Sequence, residues 1–121
     1  MNNKINQKYF AKIVNIKISS RPHAWNPPTD LLETDKTFVV RVEIAGISIV
    51  DLAISVENKV VTVVGRREIP YKKCAYHRME IPYGDFRTLV DLPSQVDTSS
   101  AAAEYENGFL SIILPKVDPN K

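Results

Sequence analysis

The chain has 121 residues, of which 44% are hydrophobic and 25% are charged, proportions typical of one globular domain. Its longest uninterrupted apolar run has three residues, whereas a membrane-spanning helix needs about 20, so an integral membrane protein with such a helix is excluded. The single cysteine, Cys74, cannot form an internal disulfide and favours a reducing compartment, most simply the cytoplasm.

The net charge of +2 is unevenly distributed along the chain. Residues 1–29 carry five basic and no acidic side chains, and the remainder carries 11 basic and 14 acidic ones. A basic arm can contact nucleic acid or a membrane surface, or serve as a cleaved targeting peptide. Only Arg21 is an arginine there, and no long apolar stretch fits a secretory signal. We therefore favour a solvated arm kept in the mature protein, with neither nucleic acid nor membrane as a partner.

The secondary structure of this arm is ambiguous, because its apolar residues fit two periodicities. The helical face would hold Ile5, Tyr9, Ile13 and Ile16, and the strand would hold Val14, Ile16 and Ile18. Both interpretations stay open.

From residue 37 onward, apolar and polar residues alternate in short runs, the pattern of half-buried strands. Asn58-Lys59 and Asn107-Gly108 each separate two such runs and predict hairpins. The predicted strands are 38–44, 52–57, 60–64, 87–92, 103–106 and 109–114. Short strands separated by turn residues predict an all-β fold, an antiparallel β-sandwich.

Residues 66–85 interrupt this pattern. They contain Pro70, Pro82 and Gly84 together with four aromatic or imidazole rings and many charges. A link of this length inside a compact sandwich is unusual and normally has a function.

Residues suited to catalysis or cofactor binding are scarce. The four glycines are too dispersed for a phosphate-binding loop, and His23 and His77 lack a partner at metal-ligand spacing. Cys74 and His77 lack an orienting third group for nucleophilic catalysis. We therefore expect no enzymatic activity, no cofactor and no metal site.

Several short motifs follow one another in order between residues 25 and 116. Trp25, Pro27, Asp30 and Glu33 form W-x-P-x-x-D-x-x-E, and the segment 103–110 contains A-x-x-x-N-G-x-L. Between and after them come I-A-G (44–46), D-L (51–52), V-T-V-V-G (61–65), Y-G-D-F (83–86), L-P (92–93) and P-K (115–116). In this order, the motifs resemble the alpha-crystallin domain of the small heat-shock proteins.

The resemblance implies an immunoglobulin-like sandwich over residues 25–116, preceded by the arm (1–24) and followed by a short tail (117–121). It also implies an ATP-independent holding chaperone that binds partly unfolded proteins and prevents their aggregation. The second hypothesis is a binding module on the same sandwich, such as a CS-domain co-chaperone that docks on another chaperone.

Client contact is expected where apolar side chains concentrate in or beside the arm, since an adaptable apolar segment can accommodate many partners. These residues are Tyr9, Phe10, Ile13, Val14, Ile16, Ile18 and Trp25.

Self-association is implied by the resemblance in two ways. In the bacterial and plant branch of the family, a strand in the long loop crosses to a partner and pairs with the first strand of the domain, giving a homodimer. The corresponding residues are Tyr76, His77, Arg78, Met79, Glu80 and Ile81, which we call the exchange segment, and Asp30, Leu31, Leu32 and Glu33. In relatives, an apolar I-x-I tail also enters a groove between edge strands. The groove residues here are Leu52, Ile54, Val56, Ala103 and Tyr105.

The chain departs from the family pattern at places that concern assembly. Thr88 and Ile81 stand where the family usually has arginines, which puts the charged dimer contacts in doubt. Residues 117–121 contain no I-x-I, so we expect a dimer or small oligomer rather than a large shell. Alternatively, the arm supplies Val14-Asn15-Ile16 or Ile16-Lys17-Ile18 to the vacant groove.

Overall fold

The computed structural model describes residues 8–11, 13 and 23–118, which form two packed antiparallel β-sheets, so the predicted all-β sandwich is confirmed. The strands are β1 (Lys8–Ala11), β2 (Thr29–Glu33), β3 (Thr37–Glu43), β4 (Ala53–Glu57), β5 (Val60–Arg67), β6 (Gly84–Asp91), β7 (Ala102–Glu106) and β8 (Phe109–Pro115). The larger sheet has the order β1-β7-β8-β3-β2 and the smaller one β4-β5-β6. Short 3-10 turns occupy Ile49–Asp51 and Thr98–Ser100, and no helix in the described residues can cross a membrane.

The alternation in β3 decides which face of the larger sheet is buried. Val40 and Val42 are fully buried, whereas Arg41 between them is exposed. Val40 pairs with Ile112 and Val42 with Leu110 of β8, so apolar side chains of neighbouring strands share one face. The smaller sheet contributes Ile54, Val61, Val63 and Phe86 to the same core. Each fully buried side chain of this size stabilises the fold by about 1.5–3 kcal/mol.

Both predicted hairpins form, and their turns have the backbone conformation that two-residue loops require. Asn58 and Lys59 have φ angles of 53° and 64°, and Asn107 and Gly108 have 55° and 81°. Positive φ at both central residues matches the right-handed twist of the flanking strands.

β5 and β6 each extend three residues beyond the predicted strand at the end next to the long loop, and β1 and β2 were not among the strands that the alternation predicted. β5 continues to Arg67 and β6 begins at Gly84, because the two pair along their whole length up to Arg67 opposite Gly84. Cross-strand pairing extends the ladder past the last apolar residue. β1 lies in the arm, whose conformation the sequence left open. The long loop, residues 68–83, contains no strand.

We predict that Gly65→Ala lowers the free energy of unfolding by about 2 kcal/mol, a usual cost of overpacking a core. A methyl group here would overlap the Phe86 ring and lie 2.9 Å from the carbonyl oxygen of Asp51. Urea denaturation measures the loss. Combining Gly65→Ala with Phe86→Leu should cost less than the two single changes together, and additive losses would contradict the steric explanation.

Candidate functional site

β2, the edge strand of the larger sheet, carries the residues 30–33 predicted for the dimer contact. The Glu43 N–H donates to the Pro28 carbonyl oxygen at 3.0 Å, and the Thr34 N–H donates to the Thr37 carbonyl oxygen at 2.8 Å. Hydrogen-bonded pairs alternate along an antiparallel ladder, so the main-chain N–H and C=O groups of the even-numbered residues of β2 point toward β3. The main-chain groups that point away from the sheet belong to Thr29, Leu31 and Glu33.

The long loop, which contains the exchange segment, lies outside the sandwich. Every residue from 70 to 82 is exposed, and Met79 and Ile81 expose 53% and 60% of their surface. The Tyr76 hydroxyl donates to the carbonyl oxygen of Tyr71 at 3.2 Å, a bond that stays within the loop. The exchange segment therefore has no sheet to join in the single chain.

A cleft of about 520 Å³ lies between β2 and residues 88–91 of β6. The Thr29 hydroxyl donates across it to the Thr88 hydroxyl oxygen at 3.0 Å. Leu31 and Leu89 line the cleft, and Leu89 is 57% exposed. Thr88 itself is buried, so the arginine that the family usually has here is replaced by a neutral hydrogen bond inside the fold. The cleft leaves two leucines available for an apolar partner.

Arg67, at the end of β5, holds the base of the long loop. Its guanidinium donates to the Pro82 carbonyl oxygen at 2.6 and 3.0 Å and to the Ala45 carbonyl oxygen at 3.0 Å. The same group lies 4.6 Å from the centre of the Trp25 ring and 5.5 Å from that of Tyr83. The loop thus returns to the sandwich at a fixed point.

Trp25, one of the predicted client contacts, is packed into the end of the sandwich. Its ring centroid lies 5.6 Å from that of Phe86. Its main-chain N–H donates to the Asp85 carbonyl oxygen at 3.1 Å, and its carbonyl oxygen accepts from the Arg87 N–H at 2.9 Å. The indole nitrogen is buried and has no hydrogen-bond partner in the described part of the chain. The structure gives Trp25 a packing role, and its client contact stays a prediction.

Part of the arm lies along the predicted groove. β1 pairs with β7, with Tyr9 opposite Tyr105 and Ala11 opposite Ala103. Two residues further on, Ile13 forms a parallel bridge with Ile54 of β4. Ala11 and Ile13 are half-buried against the core. The chain therefore spans from the β7 edge to the β4 edge with its own apolar-x-apolar sequence.

The groove residues are consequently covered by Ala11 and Ile13 of the same chain. Ile54, Val56, Ala103 and Tyr105 are each at most 9% exposed, and Leu52 is half-buried. The Tyr105 hydroxyl donates to the Ile44 carbonyl oxygen at 2.7 Å. Burial raises the pKa of this hydroxyl above 10.0, which keeps it protonated as a donor.

Of the predicted client contacts whose side chains the structure describes, Phe10 is the most accessible. It is 76% exposed, on the face of β1 opposite Ala11. Val14, Ile16 and Ile18, and with them both alternative apolar-x-apolar segments of the arm, lie outside the described residues.

Residues capable of holding a metal are not grouped in the described ranges. No cluster of three or more His, Cys, Asp or Glu side chains forms there.

Sequence reasoning missed two parts of this arrangement. It named residues 14–18 as one alternative for filling the groove and did not name Ala11, which with Ile13 lies along the groove in the described residues. The apolar-x-apolar run Ala11-Lys12-Ile13 was the available signal. It also missed Arg67 as the group that holds the loop, because Pro82 and Ala45 are distant in sequence.

Residues 30–121 match the Hsp20/alpha crystallin family, which accounts for most of the chain. The sandwich with its open β2 edge is thus an alpha-crystallin-type domain. The chain belongs to the Hsp20/alpha crystallin family, that of the small heat-shock proteins.

Individual relatives and solved structures agree with this assignment. The chain is 35% identical over 97 residues to small heat shock protein C2 of Rickettsia felis, covering 78% of this chain and 63% of that protein. It is 38% identical over 95 residues to the 22.7 kDa class IV heat shock protein of Pisum sativum, covering 76% and 48%. The chain thus spans about half to two-thirds of the length of these relatives.

Two solved structures share the fold over most of their length. HSP18.5 from E. histolytica superposes with a TM-score of 0.72 at 30% identity, covering 79% of this chain and 92% of that one. A small heat-shock protein from Xylella fastidiosa gives 0.71 at 26% identity, covering 80% and 91%.

We predict that Ile13→Ser detaches β1 and speeds hydrogen exchange at the Ala103 and Tyr105 amides. In a two-residue hairpin the closing pair is hydrogen-bonded, so these alternate residues of β7 direct their amides toward β1. Phe10→Ser, a change on the exposed face of β1, is the matched control and should leave both amides protected. Equal protection in Ile13→Ser and the unmodified chain would contradict the bridging role of Ile13.

Proposed function

We propose that the chain is an ATP-independent holding chaperone, that it binds partly unfolded proteins and prevents their aggregation, and that its working unit is a homodimer. Membership of the small heat-shock protein family supports the chaperone role. The observation that carries the proposal is the exposure of large apolar side chains on the arm, the long loop and the β2 edge. The lone cysteine, Cys74, supports action in a reducing compartment, and we place the protein in the cytoplasm.

Client binding is supported by the arm. Phe10 is 76% exposed on a strand whose outer edge is unpaired in the described residues. An unfolded client offers both apolar side chains and main-chain hydrogen-bonding groups, and such an edge matches both. No nucleotide is needed, since the interaction is apolar burial and strand addition.

Dimer formation is supported by two features of the described residues: β2 is an edge strand, and the exchange segment joins no sheet. Among the described residues, β2 has outward main-chain groups without a strand to pair with, and the exchange segment has a main chain and apolar side chains without a sheet. If the exchange segment of each copy pairs with β2 of the other, two equivalent strand pairings form in a symmetric dimer.

Assembly beyond the dimer depends on the arm in this proposal. While Ala11 and Ile13 cover the groove, a neighbour's apolar tail cannot enter it, which favours the dimer or a small oligomer. The similar Xylella fastidiosa protein is described as having a distinct high-order structure. Release of the arm from the groove would let a neighbour's apolar tail enter it and would allow larger assemblies of this chain.

The holding activity is tested by light scattering from a thermally aggregating client without nucleotide. Suppression is expected from the full chain. Removal of residues 1–24 should leave a folded domain but weaken suppression. Phe10→Ser should raise the amount of protein needed for half-suppression about threefold, because apolar contact is lost.

Val50→Ser is the matched control for Phe10→Ser. Val50 is 83% exposed but lies on a 3-10 turn that is not part of β1, so this change should leave suppression unaltered. Full suppression by the chain lacking residues 1–24 would remove the arm from the mechanism. No suppression by the complete chain would overturn the proposed function.

Deletion of residues 70–82 should convert the dimer to a monomer. Arg67 pairs with Gly84 across β5 and β6, so the three residues left between them can close a short turn without breaking the sheet. Multi-angle light scattering gives the mass, and circular dichroism checks that the strands persist. A dimeric deletion variant would refute the strand exchange.

A further inference from the structure

The large exposed apolar side chains of the described residues are unevenly distributed along the chain. Seven of the ten large ones lie in the long loop or at the edges of β2 and β6. They are Leu31, Leu32, Tyr71, Tyr76, Met79, Ile81 and Leu89. Apolar clusters of this kind mark interaction sites, but they do not by themselves fix the orientation of a partner.

The faces of the two predicted partner strands restrict how they meet. Leu31 lies opposite the fully buried Val40 and so faces the cleft, whereas Asp30 lies opposite the exposed Arg41 on the outer face. In an extended exchange segment, Met79 and Ile81 share one face, and side chains alternate between faces. If these two face Leu31 and Leu89 in the cleft, the outer face shared with Asp30 presents Tyr76, Arg78 and Glu80.

Asp30 is an exposed carboxylate that has neither a hydrogen bond nor an ion pair in the described part of the chain. Its cross-strand neighbour Arg41 instead lies 4.4 Å from the centre of the Phe109 ring. The other acid of β2, Glu33, is paired with the Lys116 ammonium. Asp30 is therefore the carboxylate of β2 available to a partner.

Arg78 is the corresponding available cation. Its side chain is 85% exposed and lies 3.3 Å from the Glu80 carboxylate, which is 76% exposed. An ion pair this exposed contributes at most about 1 kcal/mol, so Arg78 can exchange it for a better-placed partner at little cost.

Of the three outer-face residues, only Arg78 has a charge opposite to that of Asp30. Glu80 beside Asp30 would be repulsive, and Tyr76 there would leave both charges unmatched. Because the argument depends only on which face each side chain occupies, it holds for parallel and for antiparallel pairing.

We propose that an ion pair between Arg78 of one copy and Asp30 of the other selects a second copy of this chain as the partner and sets the alignment of the exchanged strand. The pair forms twice in the symmetric dimer. This inference rests on the strand exchange proposed above and specifies its alignment.

Reciprocal charge reversal tests the pairing. Arg78→Glu alone brings two carboxylates together at each of the two contacts, and Asp30→Lys alone brings two cations together there. Each variant should raise the dimer dissociation constant about tenfold or more.

In a heterodimer of the two variants, one contact joins the unmodified Arg78 and Asp30 and the other joins the two reversed charges. Both contacts are then attractive, so the heterodimer should form within about threefold of the unmodified affinity. Native mass spectrometry with one variant isotopically labelled separates the homodimers from the heterodimer.

Lys72→Glu and Asp35→Lys are the matched controls, because they reverse exposed charges near the same two segments and away from the proposed pair. They should leave dimerisation unchanged, alone and mixed. Single variants that dimerise normally, or variants that weaken dimerisation without recovery on mixing, overturn the Arg78–Asp30 pairing.

The deletion of residues 70–82 separates this failure from failure of the exchange itself. If the deletion gives a monomer while mixing restores nothing, the exchange stands and the ion pair is wrong. If the deletion variant stays dimeric, or the complete chain is monomeric, both proposals are overturned.

Discussion

Unpaired main-chain groups at the sheet edges are the constraint on which the rest of the structure depends. The short strands of two open sheets leave edges that must be paired, covered or exposed. At one side the chain covers its own edges, since β1 pairs with β7 and Ile13 bridges to β4. At the other side, β2 and β6 border a cleft and have no further strand in the described residues.

This asymmetry separates the two segments for which we propose a function, the arm and the long loop. The arm is both a cover for the groove and the carrier of an exposed aromatic side chain, Phe10. The long loop is held at its base by Arg67, but its apolar residues between 70 and 82 stay exposed. A fold stabilised by a complete core can hold such segments exposed, because their interactions are not needed for the sandwich itself.

The sandwich could be predicted well because the sequence signals for its strands and turns are local. Period-two alternation in residues 38–44 and the turn at Asn107-Gly108 report burial and backbone conformation within a few residues. The continuation of β5 to Arg67 was not predictable in the same way, because it depends on pairing with Gly84.

The candidate sites were less predictable because they arise from contacts between distant residues. The alternation in the arm permitted a helix or a strand, and pairing with β7 selects the strand at residues 8–11. Trp25 was predicted as a client contact from its position beside the arm, yet its ring packs on Phe86. The exchange segment has a sequence that can form a strand, but it joins no sheet within the described residues, and in our proposal a second copy supplies one.

Hydrogen exchange at the individual amides of β2, measured as a function of protein concentration, tests the central claim most directly. The account predicts that the outward-pointing amides of Leu31 and Glu33 are protected at concentrations where the dimer forms and exchange rapidly on dilution to monomer. The amides of Asp30 and Leu32, which point to β3, should stay protected at both concentrations. Equal, rapid exchange of Leu31 and Glu33 at all concentrations would contradict the completion of this edge by a second chain.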